Sequence, residues 1–166
     1  MSNKPLILWV EDEKRYVRDM IEELEDDGFA VKTVGTCNDF LRDMDRILTT
    51  ADLIILDLWL PVGSKSAQEN VPARFEGSNR NTERAIWIYQ ELCKRQAEQS
   101  SKIAVLVLSG NLDADTLDSL IREGLSEEHL CKKPAPFDVF VPKVERLAKD
   151  HFDKRTKGPK GRDEHS

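Results

Sequence analysis

The chain has 166 residues, of which 39% are hydrophobic and 34% are charged, and its formal net charge is −6 at pH 7. This length fits a single domain with one core, and the acidic balance argues against broad nucleic-acid binding by the domain body. The apolar stretch near the N-terminus is short and runs directly into acidic residues, so it predicts neither a signal peptide nor a membrane-spanning helix. The three cysteines lack metal-type spacing and predict reduced thiols, so we expect a cytoplasmic protein without membrane contact.

Apolar strands and amphipathic helices alternate along the chain. Continuous apolar runs predict strands at 6–10, 29–34, 52–57 and 103–108 and a weaker strand at 129–132. Apolar positions at helical spacing predict helices at 13–27, from a cap at Asn38 or Asp39 onward, at 82–97, at 113–122 and from about Asp138 onward. Pro142 fits the last helix only in or near its first turn. Five such β-α units with short links predict an α/β fold with a parallel sheet, helices on both faces and right-handed crossovers.

Two segments break this regular pattern. Residues 60–81 are rich in Ser, Asn, Gly and Pro and far exceed the roughly 2–6 residues of a usual βα loop. We expect a mobile surface loop there, and the alternatives are a cover over a neighbouring site or a docking segment. Trp87 lies off the main apolar stripe of its helix, and we expect it to pack under this loop rather than to be an exposed contact. Residues 153–166 form a basic segment that is predicted to be disordered, with binding to nucleic acid or an acidic partner as the less favoured alternative.

Acidic residues end two of the predicted strands. Asp57 closes the apolar run 52–57, and Glu11 and Asp12 follow the run 6–10. In open parallel α/β sheets, ligands gather at the carboxyl ends of the strands. The sequence therefore predicts that these acids meet at one edge of the sheet and that a cation lies between them.

Four short motifs stand in order, each at the end of a strand. They are Glu11-Asp12, Asp57 with Pro61 following, Ser109-Gly110 and Lys133-Pro134. In this ordered set, with similar spacing, the chain resembles a bacterial response-regulator receiver domain. The resemblance covers the chain from about Pro5 to Phe152, so we assign residues 1–152 to a receiver domain with an irregular insertion at about 60–81. It implies a flavodoxin-like, doubly wound five-stranded parallel sheet in the order 2-1-3-4-5.

The resemblance also implies a phosphoacceptor and a metal site. Asp57 would be the nucleophile whose carboxylate takes a phosphoryl group to give an acyl phosphate. Asp12 would bind Mg²⁺ directly, Glu11 often acts through water in this family, and the backbone carbonyl of Trp59 usually completes the set. An all-oxygen group of hard ligands suits Mg²⁺.

Two further residues would contact the phosphoryl group in such a domain. Lys133 would supply a compact positive charge to the phosphoryl oxygens, and the Ser109 hydroxyl would donate a hydrogen bond to them. The Lys133-Pro134 bond is typically cis in the family and aims the lysine inward.

Each of these residues also has a purely structural interpretation. Asp57 could cap the turn that follows its strand, and Glu11 and Asp12 could cap the first helix. Ser109 is a common N-cap residue, and Lys133 could form an ordinary solvated pair with Lys132. The ordered set of motifs favours the functional interpretation over these alternatives.

The chain departs from the receiver pattern at two positions besides the insertion. Leu130 stands where receivers that switch by the usual route carry an aromatic residue, so the coupling of Ser109 to an aromatic rotamer is in doubt. Trp59 stands two positions after the phosphoacceptor, where its indole is predicted to obstruct the attacking water and slow the loss of the phosphoryl group.

The sequence thus predicts a stand-alone receiver that accepts a phosphoryl group from a sensor histidine kinase or a histidine phosphotransfer protein. Its output would be contact with an unknown downstream protein, and it would be no enzyme beyond its own phosphorylation and dephosphorylation. One alternative is a receiver-like adaptor that works without phosphorylation. Another is an aspartate-nucleophile phosphohydrolase, which is disfavoured because Trp59 stands where such enzymes carry a second aspartate.

Overall fold

The structure is a computed structural model that describes residues 3–67, 69–110, 113–133 and 135–157. Within these residues, five strands alternate with five α-helices, as the sequence predicts. The strands are β1 (Leu6–Val10), β2 (Ala30–Val34), β3 (Leu53–Asp57), β4 (Ala104–Ser109) and β5 (Leu130–Lys132). The α-helices are α1 (Lys14–Asp26), α2 (Cys37–Thr50), α3 (Asn81–Glu98), α4 (Ala114–Arg122) and α5 (Phe137–Lys157), with short 3-10 turns at Ala73–Phe75, Ser78–Arg80 and Glu127–His129.

The five strands form one parallel sheet in the order β2-β1-β3-β4-β5. The predicted fold class and strand order are therefore confirmed. The register pairs Val10 with Leu56 and Asp57 with Leu108. Because parallel strands end at the same edge, this register brings the residues that follow β1 level with the last residue of β3.

The core has two halves, one on each face of the sheet. One face of β1, β3 and β4 packs against α2, α3 and α4, and the other packs against α1 and α5. All five residues of β3 are buried, as expected for a central strand covered on both sides. Helices on both faces are thus confirmed. Within the described ranges, the helices lack an apolar stretch of the length that would span a bilayer.

The start of α2 differs from the prediction. Thr36 is the N-cap, and its hydroxyl accepts a hydrogen bond from the Asp39 amide at 3.1 Å. The prediction of a cap at Asn38 or Asp39 is therefore wrong, because both residues already lie in the first turn of the helix. Asn38 is fully buried and has a different role.

That role is to anchor the irregular segment after β3. The Asn38 side-chain amide donates to the carbonyl oxygens of Gly63 and Ser64 at 3.2 and 3.3 Å, and its oxygen accepts from the Val71 amide at 2.7 Å. Leu60 and Val71 are buried in the core beside α2 and α3. The described part of 60–81 is therefore a surface segment that is anchored to these helices at a few points, while many of its residues are exposed, and its expected mobility stays a prediction.

The end of the segment is held by α3. Arg84 is buried and donates to the carbonyl oxygens of Phe75 at 2.5 Å and Gly77 at 3.2 Å. The Phe75 ring lies 5.8 Å from the Trp87 ring, centroid to centroid, and Trp87 is half-buried. The prediction that Trp87 packs under this segment is confirmed.

The last helix is longer than the sequence predicts. Helix α5 extends to Lys157, so the prediction of a disordered tail is wrong for residues 153–157. The physical reason is Arg155, whose guanidinium binds the buried carboxylate of Asp52 and ties the final turns to the sheet. Residues 158–166 lie outside the described residues. Pro142 is the sixth residue of α5, just past its first turn.

Candidate functional site

Three acidic side chains meet at the carboxyl edge of the sheet. Carboxylate oxygens of Glu11, Asp12 and Asp57 all lie within 4.8 Å of one another. Glu11 and Asp57 are buried, with exposed fractions of 1% and 4%, whereas Asp12 is exposed. The predicted meeting of these acids is confirmed, and their oxygens form a donor set that suits a hard divalent cation.

Lys133 is directed into this cluster. Its ammonium Nζ lies 2.6 Å from Glu11 Oε2 and 2.8 Å from Asp57 Oδ2. Lys132, the neighbour that ends β5, is exposed instead. Lys133 is therefore the inward-facing lysine of the pair, and it bridges the two buried carboxylates.

The cluster has more negative charge than one ammonium can balance. Burial raises the pKa of Glu11 to about 7; the hydrogen bond from Lys133 opposes this shift, and the negative charge of Asp57 reinforces it. Burial disfavours the Lys133 ammonium, but hydrogen bonds to Asp57 and Glu11 outweigh that effect and raise its pKa above the ordinary value. Lys133 therefore stays charged, while a further cation at the cluster would favour the ionised form of Glu11.

The second oxygen of Asp57 is held by the chain that follows. Asp57 Oδ1 accepts a hydrogen bond from the Trp59 amide at 3.0 Å. This bond holds the backbone of Trp59 beside the carboxylate, and the Trp59 side chain is 41% exposed. The metal contact of the Trp59 carbonyl stays a prediction.

Two predicted features beside Lys133 cannot be compared with the structure. Ser109 is the last residue of β4 and pairs in register with Lys132, but its side chain lies outside the described part of the structure. Its predicted hydrogen bond to a phosphoryl group is untested. Pro134 is also outside the described residues, so the predicted cis bond is untested as well.

Leu130 pairs with Val107 in the sheet. It stands at the position where the receiver pattern has an aromatic residue. Its side chain is half-buried and packs against the core half that contains α2, α3 and α4. This position thus holds a core residue in place of a ring that could change its rotamer.

Comparison with known proteins finds likeness in three dimensions only. No protein-family model and no curated protein sequence matches the chain. Among solved structures, a CheY-like response regulator receiver domain protein from Methanospirillum hungatei is 15% identical, with a TM-score of 0.61 over 94% of this chain and 100% of that chain. The non-phosphorylated HemR receiver domain from Leptospira biflexa is 22% identical, with a TM-score of 0.59 over 87% of this chain and 94% of that one. The chain has the receiver-domain fold.

A further structure with this receiver fold carries a modified aspartate. It is a response regulator protein from Burkholderia pseudomallei with a phosphorylated aspartic acid, a calcium ion and citrate. It is 16% identical, with a TM-score of 0.57 over 94% of this chain and 76% of that chain. At these identities the likeness establishes the fold, while the chemistry of this chain rests on its own residues.

Sequence reasoning missed one neighbour of the site in this receiver fold. The Tyr16 ring, in the first turn of α1, lies beneath Lys133 Nζ at 5.1 Å from the ring centroid. No motif marks this residue, since an exposed tyrosine at the start of a helix is unremarkable in sequence. Its contact with the lysine becomes visible only once the fold brings the start of α1 and the residue after β5 together over the carboxyl edge of the sheet.

Sequence reasoning also missed a third buried carboxylate, at the opposite edge of the sheet. Asp52 has no exposed surface, and its oxygens accept bonds from Arg155 Nε and Nη2 at 3.0 Å each and from the Leu6 amide at 2.9 Å. His151 Nδ1 lies 2.8 Å from Asp52 Oδ1. Burial disfavours the ionised form, but the bonds from His151, Arg155 and the Leu6 amide outweigh it and lower the pKa of Asp52.

Proposed function

We propose that this chain is a phosphorylatable receiver that takes a phosphoryl group on Asp57 from a phosphohistidine of a sensor kinase or phosphotransfer protein. The observation that carries the proposal is the bridge from Lys133 to Asp57 and Glu11, beside Asp12, at the carboxyl edge of a receiver-fold sheet. The phosphorylated chain would then signal by contact with a downstream protein.

The geometry supports a direct in-line transfer. A carboxylate oxygen of Asp57 attacks the phosphorus, the new O–P bond forms, and the P–N bond of the phosphohistidine breaks to release the imidazole. Lys133 already lies 2.8 Å from Asp57 Oδ2, so its ammonium is close to the place where the phosphoryl oxygens arrive. The Trp59 amide holds Asp57 Oδ1 in position during the attack.

The acidic cluster would hold Mg²⁺ for this reaction. Asp12 and Asp57 are the expected direct ligands, and Glu11 has a carboxylate oxygen within 4.8 Å of both, close enough to act directly or through water. When bound, the metal neutralises negative charge on the transferring phosphoryl group. The side chains of the site provide the nucleophile, its orientation and the permanent positive charge.

Incubation with a small-molecule phosphodonor and Mg²⁺, followed by intact mass measurement, tests the proposal. We expect a gain of one phosphoryl group in the wild type, no gain in Asp57→Asn, and loss of the gain when the metal is chelated. A wild-type chain that stays unmodified while it remains folded would contradict the proposal and favour the phosphorylation-independent adaptor. Steady release of free phosphate from many unrelated phosphate esters would instead favour a phosphohydrolase.

A further inference from the structure

The Lys133 ammonium is held on three sides by groups from three different elements. Glu11, after β1, and Asp57, at the end of β3, take hydrogen bonds from Nζ at 2.6 and 2.8 Å. The Tyr16 ring of α1 lies on a further side, with Nζ 5.1 Å from its centroid. An ammonium has three N–H donors, so the two carboxylates leave part of its charge directed at the face of the ring.

We infer that Tyr16 is a positioning residue that holds Lys133 at the mouth of the site through a cation–π contact. This inference rests on the proposed phosphorylation of Asp57. The negative face of an aromatic ring attracts an ammonium within about 6 Å of its centroid. A Tyr16 without such a role would be an ordinary exposed aromatic residue, and its removal would leave the reaction unchanged.

The ring contact matters most when the phosphoryl group arrives. The bond from Lys133 to Asp57 Oδ2 then weakens in favour of bonds to the phosphoryl oxygens, because the carboxylate loses its negative charge when it becomes an acyl phosphate. The ring of Tyr16 takes no part in that exchange and can hold the lysine throughout. It therefore limits the conformations of a long side chain at the step where one of its carboxylate partners is lost.

The local structure fixes the backbone that carries the ring. The Tyr16 amide donates to the Glu13 carbonyl at 3.0 Å, and the Glu13 amide donates to Glu11 Oε1 at 3.3 Å. The next residue, Val17, is fully buried and fastens this turn of α1 to the core. The start of α1, the buried Glu11 and the ring thus form one connected unit around the lysine, although the ring itself is 42% exposed.

Two substitutions separate the ring face from the size and the hydroxyl of the residue. Tyr16→Leu removes the aromatic face but keeps an apolar side chain, and Tyr16→Phe keeps the face but removes the hydroxyl. With a small-molecule phosphodonor, we expect Tyr16→Leu to slow phosphorylation of Asp57 roughly two- to fivefold, the size of an exposed cation–π contact. We expect Tyr16→Phe to retain the wild-type rate.

A double-mutant cycle with Lys133→Met tests whether Tyr16 acts through the lysine. Rates followed by intact mass over long incubations keep slow variants measurable. If Tyr16 acts through Lys133, then Tyr16→Leu causes no further loss in the Lys133→Met background. An equal loss in both backgrounds, or a loss of rate in Tyr16→Phe that matches Tyr16→Leu, would overturn the inference.

A readout independent of the reaction comes from the ring current of Tyr16. NMR of lysine-labelled protein should show upfield-shifted side-chain methylene protons for Lys133 in the wild type and Tyr16→Phe, and normal positions in Tyr16→Leu. Unshifted protons in the wild type would overturn the inference while leaving the proposed function intact. A wild-type chain that cannot be phosphorylated at all would remove both.

Discussion

Strand β3 is flanked by two buried aspartates with opposite electrostatic surroundings. Asp52 precedes the strand and is satisfied by a bidentate guanidinium, a histidine ring and a backbone amide. Asp57 ends the strand and shares one ammonium with Glu11, with Asp12 close by. A saturated carboxylate stabilises the fold, whereas a carboxylate in a cluster with surplus negative charge retains affinity for cations and for electrophiles such as a phosphoryl group.

The two ends of β3 also use different cations. Arg155 presents a planar fork that matches a carboxylate, with both of its contacts to Asp52 at 3.0 Å, and such pairs are rigid. Lys133 is a point charge on a flexible stem that can exchange one oxygen for another. Arginine therefore suits the permanent ion pair with Asp52 at the start of β3, and lysine suits the exchangeable bond to Asp57 at its end.

The largest expected effect is on phosphorylation, which should depend on Asp57 but not on Asp52. Asp57→Asn should abolish phosphorylation by a small-molecule phosphodonor because the amide is no nucleophile for phosphorus under these conditions. Asp52→Asn, assayed at a temperature where it remains folded, should be phosphorylated at the wild-type rate. Intact mass measurement of both variants checks this, and the contrast between the two ends would fail if Asp52→Asn also lost phosphorylation.

The next largest effect is on the free energy of unfolding, to which Asp52 should contribute strongly. Asp52→Asn removes the charge that satisfies Arg155 and should lower the free energy of unfolding by about 2–3 kcal/mol, in the range for hydrogen bonds to charged groups. Denaturant unfolding followed by circular dichroism measures this. Asp150→Asn is the matched control on α5, because its partner Lys154 and Asp150 itself are exposed, at 73% and 63%, and such pairs contribute little. Equal losses in the two variants would contradict a stabilising role for Asp52.

The lowered pKa of Asp52 predicts how its contribution depends on pH. A carboxylate with a lowered folded-state pKa contributes its full stabilisation above its ordinary pKa of 3.8 and loses it as the pH falls through the lower folded value. The difference in unfolding free energy between the wild type and Asp52→Asn should therefore be constant near neutrality and shrink below about pH 4. Unfolding curves across an acid series test this, and a difference that grew with acidity would reverse the assignment.

The smallest expected effect concerns Trp59, two positions after Asp57. The Trp59 amide binds Asp57 Oδ1, and if the exposed indole obstructs the attacking water, Trp59→Asn should shorten the half-life of the phosphorylated chain. Trp59→Phe keeps an aromatic ring and should retain a half-life close to that of the wild type. The decay is followed by intact mass after the phosphodonor is removed. An unchanged or longer half-life in Trp59→Asn would show that the indole does not slow hydrolysis.

The irregular segment after β3 illustrates what sequence reasoning could not reach. Its polar composition predicted a mobile surface loop and gave no sign of the anchors that the structure shows, which are the buried Leu60 and Val71 and the bonds from Asn38 of α2 to its backbone. Composition averages over the segment, whereas the packing depends on a few contacts with distant residues. The contact of Trp87 with this segment could be predicted, because a large apolar side chain off the main apolar stripe of its helix needs another part of the chain to bury it.

The sequence by itself determined the strands, the helices and the positions of the acids. Apolar runs, helical periodicity and turn residues are local signals, and five repeated β-α units leave few arrangements other than a parallel sheet. Because the strands of such a sheet end together, the meeting of Glu11, Asp12 and Asp57 also followed from the sequence.

Only the tertiary structure decided which cation forms an ion pair with which buried carboxylate. Lys133 reaches Glu11 across 122 positions of sequence, and Arg155 reaches Asp52 across 103, so neither pair leaves a local pattern. The same holds for Tyr16 beneath Lys133 and for the last turns of α5, which are basic in sequence but helical because Asp52 holds them. Pairings of this kind depend on strand register and helix placement, which local periodicity does not encode.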